Sequence, residues 1–572
     1  MKNIVLMLAF IFIITQVYSD KKKIRILFLA YLVFSIIFIV GYLYYSYYGN
    51  YFSIIDYFMS ENTGRAGNIR IFFENIRPLY LFSFVFDLIL ASILYLKIKT
   101  KNNLNRKIAF FKNRRFQVIS IALILFLLIG QILYTNHQLG NYNPQELYHR
   151  STPKFVNSYG YLPLYLIELY EIVNPYQLDE TEPLPDIYKG ELAGRGLIDD
   201  DTNIIAIQVE TLDEKIIDYE YNGQEITPFL NQLKTESLYF PNFITQHIRG
   251  SYNADFSFLT SLYPINRNYP YRENNLEKFQ SIVNVLNNYG YKTLAFHNYD
   301  GDFFNRNTAF SELNFDRYYS ETDYSTEDIV MEAENNLRIS DYDFFKQSLD
   351  YLEEAEEPFF SFFITVSSHN PFDYYPQSEE VAAFNDIEDE LVKDLFNSFS
   401  FFDSSLEMFI NQLDERGLKD NSLIIIYSDH ESLVNRDEYF SGRDYNLTRN
   451  VKKPEHVPLF IIHPEIQNKI DERAVSILDL SPTILDLLGK TEMPEEFLGR
   501  SILDNEEYPI LFLHEVPQVL SENQLYLFGE YRFEKIGYYD QNKDDSVITD
   551  PEKEKLRETI QYMRSLYLKQ LK

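Results

Sequence analysis

Cysteine is missing from this 572-residue chain. Without cysteine the chain can form no disulfide, no thiolate metal site and no cysteine nucleophile, so its chemistry must use oxygen and nitrogen ligands. The sequence also lacks a P-loop, a glycine-rich dinucleotide signature and a basic stripe of the kind that binds nucleic acid. A formal charge of −32 further argues against a nucleic-acid partner, because a polyanion would be repelled.

Positive charge is scarce over most of the chain and is concentrated at its start. Residues 1–134 hold 16 Lys and Arg against 5 Asp and Glu, whereas residues 135–572 hold 36 against 79. The first part is therefore basic and the remainder is strongly acidic. This asymmetry predicts two parts that lie in different surroundings.

Apolar stretches in the first quarter of the chain predict a transmembrane region of about four helices over residues 1–134. The last three stretches approach the ~20 residues needed to cross about 30 Å of hydrocarbon. The first is short enough for a signal peptide, but no small-residue cleavage site follows it, which favours an anchored helix. The four stretches are Ile4–Tyr18, Ile26–Tyr47, Leu79–Leu96 and Val118–Tyr134.

Basic residues cluster in two of the loops between these stretches. By the positive-inside rule both loops are cytoplasmic, so the chain after Tyr134 is predicted to be extracytoplasmic. The alternative is that these side chains are merely a solvated face. An acidic, cysteine-free outer part is typical of a bacterial cell surface. The basic residues are Lys21, Lys22, Lys23 and Arg25 in one loop, and Lys97, Lys99, Lys101, Arg106, Lys107, Lys112, Arg114 and Arg115 in the other.

Residues 135–201 are interpreted as a linker with short helices, such as Leu162–Ile172, close to the membrane surface. From Thr202 onward, short β-branched or aromatic runs alternate with amphipathic helices. This alternation indicates an α/β domain with a largely parallel sheet covered by helices on both faces. The predicted helices include Ile226–Leu233, Ser281–Gly290 and Ser405–Gly417.

Five apolar runs are the predicted central strands, and polar residues follow four of them. In open α/β sheets, ligands bind beyond the carboxyl ends of the strands, so these polar residues are the candidate site. The predicted strands are Ile204–Gln208, Lys292–Phe296, Phe359–Val366, Leu423–Tyr427 and Pro458–Ile462. The polar residues that follow are Glu210, His297, His369 and the pair Asp429 and His430.

Glu210, Asp429 and His430 form a ligand set of two carboxylates and one imidazole. Such a set suits Mn²⁺, Mg²⁺ or Zn²⁺. Taken singly, an aspartate at a strand end is more commonly a turn or helix cap.

Ser251 is the candidate nucleophile. It follows Gly250 and precedes a predicted helix, whose positive dipole end and a bound metal would both lower the pKa of its hydroxyl. The simpler alternative is that Ser251 caps the helix, although Ala254 stands where a capping box has an acidic partner. Local sequence leaves both roles open.

Seven short motifs follow one another along the chain and include these candidate residues. They are V-E-T-L (Val209–Leu212), G-S-x-x-A-D-F (Gly250–Phe256), F-H (Phe296–His297), F-N-R (Phe304–Arg306), S-S-H-N-P-F (Ser367–Phe372), Y-S-D-H (Tyr427–His430) and D-L-S-P-T-I-L-D-L-L-G (Asp479–Gly489). In this order and spacing they resemble the lipoteichoic acid synthases, polyglycerolphosphate transferases of the sulfatase and alkaline phosphatase superfamily. The resemblance covers nearly the whole chain, including several helices before an outer enzyme domain.

The resemblance implies a role for each matched residue. The metal ligands, with Mn²⁺ the expected ion and Mg²⁺ or Zn²⁺ as alternatives, are matched by Glu210, Asp429 and His430. Ser251 matches the nucleophile that also contacts the metal. The groups that hold the phosphate and the glycerol head are matched by His297, Arg306, His369 and Phe304. The sequence does not choose between His369 and His297 as the general acid for the leaving group.

The chain departs from the family pattern at four positions. Ser251 replaces the usual Thr, which preserves the phosphoester chemistry because either hydroxyl can react. Phe304 replaces the Trp of the family's W-N-R motif, Tyr299 replaces an acidic residue, and Val434 replaces a serine. These last three changes affect recognition of the head group rather than phosphoryl transfer.

The resemblance therefore predicts a multi-pass bacterial membrane protein with an extracellular, metal-dependent phosphoglycerol transferase domain. Residues 202–505 would form the sulfatase-like catalytic domain and residues 506–572 a smaller C-terminal subdomain. The enzyme would move glycerol phosphate from phosphatidylglycerol to a glycolipid or polyglycerolphosphate acceptor through a covalent intermediate on Ser251.

Four alternatives to this prediction remain. Two are a phosphoethanolamine transferase and a lipid phosphodiesterase of the same superfamily. A third, a surface protein that binds teichoic acid without catalysis, is disfavoured because every metal ligand is present. The fourth, a sulfatase, is disfavoured because Ser251 is followed by Y-N-A-D, without the Pro and Arg of the motif that is converted to formylglycine.

Overall fold

The computed structural model of the chain divides into two compact units, residues 1–177 and residues 178–572. The elements that the structure describes in the first unit are helices, and all the described β-strands lie in the second. The structure describes residues 20–48, 51–53, 144–150, 152–174, 190–248, 250–265, 270–327, 339–432, 434, 436, 439, 446–448, 453–513, 517–528, 533–538 and 548–570, with isolated positions between 86 and 133.

Among the described residues of the first unit, the helices with given bounds are α1 Asp20–Tyr48, α2 Pro144–Arg150, α3 Thr152–Tyr159 and α4 Tyr161–Val173. α1 contains the second predicted apolar stretch, and α4 confirms the predicted helix Leu162–Ile172. Within the described part of the chain, no helix combines the length and the apolar character that a membrane crossing requires. The first predicted apolar stretch lies outside the described residues, as do most of the third and fourth.

α4 exposes apolar side chains and buries acidic ones, the reverse of an ordinary surface helix. Leu166 is 60% exposed and Leu169 51% exposed, whereas Glu168 is completely buried. Glu171 is also buried, and its carboxylate lies 3.0 Å from His149 Nε2. The outward face of α4 therefore presents apolar side chains to its surroundings.

The second unit alternates strands and helices, as the sequence predicts. Its strands are β1 Asn203–Val209, β2 Glu220–Tyr221, β3 Gln224–Glu225, β4 Leu238–Ile244, β5 Lys292–His297, β6 Arg317–Tyr319, β7 Phe359–Ile364, β8 Ser422–Ser428, β9 Asn446–Leu447, β10 His456–Ile462, β11 Lys469–Ile470, β12 Val475–Ser476, β13 Ile510–Phe512, β14 Gln518–Ser521, β15 Gln524–Phe528 and β16 Phe533–Tyr538. Its helices are α5 Pro228–Leu233, α6 Tyr252–Thr260, α7 Pro270–Glu273, α8 Ile282–Asn288, α9 Arg306–Glu312, α10 Asp341–Glu353, α11 Glu390–Glu415, α12 Leu480–Leu487 and α13 Asp550–Lys569.

A nine-stranded sheet forms the centre of this unit, in the order β11-β4-β10-β8-β1-β7-β5-β6, with β12 also paired to β4. All five predicted central strands belong to it. The pairs β8-β1, β1-β7, β7-β5 and β5-β6 are parallel, whereas β10 runs antiparallel to both β8 and β4. The sheet is therefore mixed and mostly parallel, and its parallel half brings the carboxyl ends of β8, β1, β7 and β5 to one edge.

Two apolar cores cover the two faces of the sheet, because successive side chains of a strand point to opposite faces. Along β1, Ile204 and Ala206 enter the core that contains α6, α8 and α12. Ile205 and Ile207 enter the other core, against α10 and α11. Burial on both faces explains why the central strands are continuous apolar runs.

The sequence-based prediction missed β4 and shortened α11. β4 reads L-Y-F-P-N-F-I, and a proline is normally excluded from a central strand because it has no N–H to donate. The ladder between β4 and β10 shifts register between Val457 and Leu459, where Pro458 lies in β10, so this part of the ladder is a bulge.

Helix α11 is longer than predicted: it begins at Glu390, where the Asp389 side chain accepts from Leu391 N, and not at Ser405.

A second, antiparallel sheet has the order β13-β14-β15-β16-β9. Four of its strands come from the C-terminal region, and β9 comes from the segment between β8 and β10. Val519 of β14 and Met563 of α13 belong to the same apolar core as β1. The C-terminal segment is thus packed against the main sheet unit.

Candidate active site

The three predicted metal ligands lie at the ends of two neighbouring strands. Glu210 follows β1, Asp429 and His430 follow β8, and the two strands pair in register through Val209 and Ser428. His430 Nε2 lies 3.3 Å from Glu210 Oε1 and 3.5 Å from Asp429 Oδ2. One ligand atom from each of the three residues lies within 4.8 Å of the others.

Hydrogen bonds hold this ligand set in place. Thr211 N donates to Asp429 Oδ1 at 2.9 Å, and Thr211 Oγ1 donates to Glu210 Oε1 at 2.8 Å. His430 Nδ1 lies 2.8 Å from the carbonyl oxygen of Glu431, which assigns its proton to Nδ1 and directs Nε2 toward the carboxylates. Thr211 has a φ of +64°, a strained conformation of the kind that clusters at functional sites.

The electrostatics of the set fit a divalent cation. Asp429 Oδ2 is buried and accepts no hydrogen bond of normal geometry from the described residues. Burial and the charge of Glu210 raise the pKa of Asp429 to about 7. Burial would lower the pKa of His430, but the charges of Asp429 and Glu210 raise it to about 10. Two buried carboxylates therefore require compensating positive charge, which protons or a metal ion would supply.

Ser251 is not a helix cap. It occupies the N-cap position of α6, but its backbone is helical (φ −51°, ψ −34°) and its side chain makes no capping hydrogen bond to the described residues. Ser251 Oγ instead donates to Glu210 Oε2 at 3.2 Å. The alternative left open by the sequence is therefore wrong, and the hydroxyl lies beside the metal-ligand set at the positive end of α6.

His297 and Arg306 form the next part of the same edge. His297 ends β5, and its Nδ1 lies 3.0 Å from the carbonyl oxygen of Ile364. Its Nε2 lies 3.2 Å from Nη1 of Arg306, which donates to it. Burial and the charge of Arg306 lower the pKa of His297 to about 3. The imidazole is therefore neutral, with its proton on the side away from Arg306.

Arg306 is held by Asp255, a residue that the sequence-based analysis did not assign to the site. Arg306 Nε lies 2.8 Å from Asp255 Oδ2, and both side chains are almost completely buried. Gln208 donates to Asp255 Oδ1 at 2.7 Å and accepts from the Tyr427 hydroxyl at 2.9 Å. The motif G-S-x-x-A-D-F could have indicated Asp255 as a site residue. Asp255 comes four residues after Ser251, and residues four apart on a helix lie on the same face.

His369 lies on the loop after β7, and this loop is tied to Glu210. Thr365 Oγ1 accepts from Glu210 N at 3.0 Å, and Ser368 Oγ donates to the carbonyl oxygen of Glu210 at 2.6 Å. His369 Nδ1 lies 2.6 Å from the carbonyl oxygen of Asn370. This contact leaves Nε2 as the nitrogen that can face a substrate.

Aromatic side chains border the His297–Arg306 part of the site. The Phe304 ring lies 5.3 Å from the guanidinium carbon of Arg306 and 5.0 Å from the Tyr252 ring. Tyr299 and Phe303 make an edge contact at 5.2 Å. Phe304 has a φ of +58°, so its position is imposed by the surrounding structure. Phe304 and Tyr299, two of the residues that depart from the family pattern, thus belong to this border.

The family model described as Sulfatase matches residues 202–490, just over half of the chain. The chain belongs to the sulfatase family. Its strands β1, β5, β7, β8 and β10, and every candidate site residue named above, lie within the matched segment. The central strands and the candidate site therefore lie within one family domain.

Curated relatives of this sulfatase-family chain are named lipoteichoic acid synthases, which confirms the resemblance deduced from the motifs. Lipoteichoic acid synthase 2 of Bacillus subtilis is 29% identical over 79% of this chain and 69% of its own length. The enzyme of Staphylococcus saprophyticus is 27% identical, and that of Staphylococcus aureus 29%. The chain spans only 58% and 49% of the length of these two staphylococcal relatives.

Two solved structures share the fold. The lipoteichoic acid synthase LtaP of Listeria monocytogenes superimposes with a TM-score of 0.58 at 21% identity, over 68% of this chain and 96% of that one. A protein of the alkaline phosphatase superfamily from Vibrio parahaemolyticus gives a TM-score of 0.54 at 20% identity, over 68% and 91%. These matches confirm the predicted sulfatase-like α/β fold. The prediction of a mostly parallel sheet did not include the antiparallel strand β10, which makes the sheet mixed.

Proposed function

We propose that this chain is a membrane-attached, metal-dependent phosphoglycerol transferase that uses a covalent intermediate on Ser251. The observation that carries the proposal is the position of Ser251 Oγ, 3.2 Å from Glu210 Oε2 and free of a capping role. A hydroxyl beside two buried carboxylates and an imidazole fits a nucleophile that reacts at phosphorus.

Glu210, Asp429, His430 and Ser251 are the residues that would hold the cation, with Mn²⁺ as the first choice and Mg²⁺ or Zn²⁺ as alternatives. When bound, the cation lowers the pKa of an adjacent hydroxyl and offsets the negative charge of a phosphate group. The buried Oδ2 of Asp429 and the Nδ1 contact of His430 with a carbonyl support this assignment.

In the first step, Ser251 Oγ forms a bond to the phosphorus of phosphatidylglycerol while the bond to the diacylglycerol oxygen breaks. His369 donates a proton to that leaving oxygen, and the hydroxyl proton of Ser251 passes to water. In the second step, a hydroxyl of the acceptor attacks the phosphorus and gives its proton to His369. The Ser251 oxygen leaves and takes a proton from water, which restores its hydroxyl.

His369 is the better general acid because His297 has no proton to give toward the site. The proton of His297 lies on Nδ1, against the carbonyl oxygen of Ile364, and Nε2 accepts from Arg306. We propose that His297 orients Arg306, whose guanidinium offsets the charge of the phosphate oxygens. Positioning and charge compensation supply most of the catalysis in phosphoryl transfer.

The substrates proposed are phosphatidylglycerol as donor and a glycolipid or polyglycerolphosphate as acceptor. The names of the Bacillus and Staphylococcus relatives, lipoteichoic acid synthases, support this choice. Phe304, Tyr299 and Val434 are the residues at which the preference for a head group would differ from that of the family.

Membrane attachment on the outer side of a bacterial cell is part of the proposal. It is supported by the apolar stretches of residues 1–134 and by the apolar outward face of α4. A tethered enzyme would meet its lipid donor at a bilayer surface, where the effective concentration of both is high.

The test is the covalent adduct itself. Full-length protein with Mn²⁺ is incubated with vesicles of phosphatidylglycerol or, separately, phosphatidylethanolamine, and the peptide containing Ser251 is weighed by mass spectrometry. We expect a glycerol phosphate adduct with the first lipid and none with Ser251→Ala. A phosphoethanolamine adduct would reassign the donor, and diacylglycerol release at an equal rate in wild type and Ser251→Ala would overturn the proposal.

A further inference from the structure

The ring of His247 lies flat on the ring of His430, one of the three predicted metal ligands. The ring centroids are 4.2 Å apart and the ring planes are inclined by 19°. The nitrogen lone pairs of an imidazole lie in the plane of its ring, so those of two stacked rings do not converge on one point. His247 is therefore not a further ligand for an ion bound by His430, and its role in the site must come from the stacking itself.

Two strands bring His247 and its partner Glu455 to the edge of the sheet where His430 lies. β4 and β10 are antiparallel, and Ile244 at the end of β4 pairs with His456 at the start of β10. His247 comes three residues after β4, and Glu455 directly precedes β10. His247 Nδ1 lies 3.1 and 3.2 Å from the two carboxylate oxygens of Glu455, and these side chains are only 13% and 10% exposed. The ring of His247 is thus held in a largely buried position.

Glu455 anchors the His247 ring to the loop that carries His430. Glu455 Oε2 accepts from Glu431 N at 3.0 Å, and Glu431 Oε1 accepts from His456 N at 2.7 Å. The carbonyl oxygen of Glu431 also lies 2.8 Å from His430 Nδ1. Both stacked rings are therefore hydrogen-bonded, directly or through Glu455, to the backbone of one residue, Glu431.

The hydrogen bond at Nδ1 does not by itself fix the plane of the His430 imidazole. The second side-chain torsion of histidine is broad, and a single contact at Nδ1 leaves the ring free to rotate about the line to its acceptor. A ring stacked on one face restricts this rotation, because tilting would separate the two planes or make them collide. In the plane that the stacking fixes, Nε2 lies 3.3 Å from Glu210 Oε1 and 3.5 Å from Asp429 Oδ2.

The segment that carries His247 also carries the candidate nucleophile. Thr245 Oγ1 donates to the carbonyl oxygen of Asp429 at 2.5 Å. Ser251 follows in the same segment, four residues after His247. One short segment thus contacts the backbone of one predicted ligand, stacks on the ring of another and supplies the hydroxyl that would react.

We propose that His247 is a positioning residue of the proposed active site, whose ring fixes the plane of the His430 imidazole for cation binding. The proposal rests on the proposed function, since that function makes Glu210, Asp429 and His430 the ligands. Glu455 holds the His247 ring in place, and the hydrogen bond that it accepts makes this ring electron-rich. Such a ring favours a partner ring that carries positive charge, as the His430 imidazole does when it binds a cation, in the manner of a cation–π contact.

The test separates the ring of His247 from its hydrogen bond, in full-length protein in detergent. His247→Asn removes the ring but keeps an N–H group near Glu455. The double variant His247→Phe with Glu455→Gln keeps a ring and removes both the N–H group and the buried carboxylate. His463→Asn is the matched control, because His463 follows the other end of β10. Mn²⁺ affinity is measured by electron paramagnetic resonance of the free ion.

We expect His247→Asn to bind Mn²⁺ about 10- to 100-fold more weakly than wild type, the usual effect of removing a group that orients a metal ligand. The double variant and the control should stay within about threefold of wild type. Pulsed resonance of bound Mn²⁺ reports the ¹⁴N coupling of the His430 ligand, which a loss of fold stability alone would not alter. This coupling should be unchanged in the double variant and weakened in His247→Asn.

Wild-type Mn²⁺ affinity and ¹⁴N coupling in His247→Asn would overturn the proposal. An equal loss of affinity in the double variant would also overturn it, because the ring would then not be the feature that matters. Unfolding temperatures measured in chelator identify any misfolded variant, and His247→Leu without a ring and His247→Phe alone with one then replace it. Neither measurement depends on transfer, so wild type that binds Mn²⁺ through His430 but forms no Ser251 adduct would contradict the proposed function alone.

Discussion

The guanidinium of Arg306 and the carboxylate of Asp255 form a buried ion pair, with 2.8 Å between Nε and Oδ2. Arg306 is 1% exposed and Asp255 is completely buried. The same guanidinium contacts His297 through Nη1. Asp255 thereby links the helix that begins after Ser251 to the His297–Arg306 part of the site, and it fixes the direction in which the guanidinium points.

Replacing Asp255 by Asn should destabilise the fold and abolish transfer. Removing one partner of a buried pair leaves the other charge without compensation, which costs about 3–5 kcal/mol. Denaturant unfolding measures this loss. The double variant Asp255→Leu with Arg306→Met should recover much of the stability while remaining inactive. Equal stability of wild type and Asp255→Asn would contradict the role given to the pair.

Removing the Ser251 hydroxyl should stop the reaction without unfolding the protein. We expect kcat of Ser251→Ala to fall by about 10³-fold or more, and Ser251→Thr to keep measurable activity because its hydroxyl can form the same ester. Ser257, buried in the same helix, is the matched control, and Ser257→Ala should retain normal turnover. A Ser251→Ala enzyme within tenfold of wild type would exclude Ser251 as the nucleophile.

The two site histidines should respond differently to the leaving group of the donor. His297 has a pKa of about 3 because of burial and Arg306, so its imidazole is neutral and cannot be the general acid. His369→Gln should lower kcat with phosphatidylglycerol by about 10²-fold or more, and a phosphodiester donor whose leaving group needs no proton, such as a nitrophenolate, should restore most of the rate. His297→Gln should lower the rate with both donors alike. The measurement is kcat of both variants with each donor, and an equal loss with both donors in His369→Gln would argue against His369.

Cation binding should release protons and strengthen with pH. Without metal, the charges of Asp429 and Glu210 keep the pKa of His430 at about 10, so at pH 7 its imidazole is protonated and must lose that proton to bind an ion. Affinity should therefore rise about tenfold per pH unit for each proton released. Titration calorimetry in buffers of different ionisation enthalpy counts the protons. Asp429→Asn should lower Mn²⁺ affinity by more than about 100-fold. The control is Asp403→Asn, which should leave Mn²⁺ affinity unchanged, because Asp403 is a buried aspartate that accepts hydrogen bonds from the backbone of α5. Absence of proton release on Mn²⁺ binding to wild type would contradict the assignment of His430 as a ligand.

The outward face of α4 should contact lipid. The chain has no cysteine, so single cysteines introduced as Leu169→Cys and Ile172→Cys can be labelled with a fluorophore in full-length protein in nanodiscs. Brominated lipids should quench both labels, because an exposed apolar helix face is stable at a membrane interface. Ile470→Cys, at an exposed apolar position of β11, should not be quenched. Equal quenching at all three positions, or none, would remove this support for membrane attachment.

Much of the sheet could be predicted from local patterns. β1, β5, β7, β8 and β10 are short apolar runs, and burial on both faces of a central strand requires such runs. β4 could not be found in this way, because Pro241 and Asn242 interrupt its pattern. Its place in the ladder depends on the irregular pairing with β10, which is a contact between segments more than 200 residues apart.

The candidate site residues could be predicted from the sequence, because polar residues at strand ends and short motifs are local features. These residues are Glu210, Ser251, His297, Arg306, His369, Asp429 and His430. It left the role of Ser251 and the choice of general acid open. Both questions depend on distances between segments that meet only when β8, β1, β7 and β5 lie side by side. The contact of Ser251 with Glu210 and the support of Arg306 by Asp255 arise from that packing, so no run of neighbouring residues could reveal them.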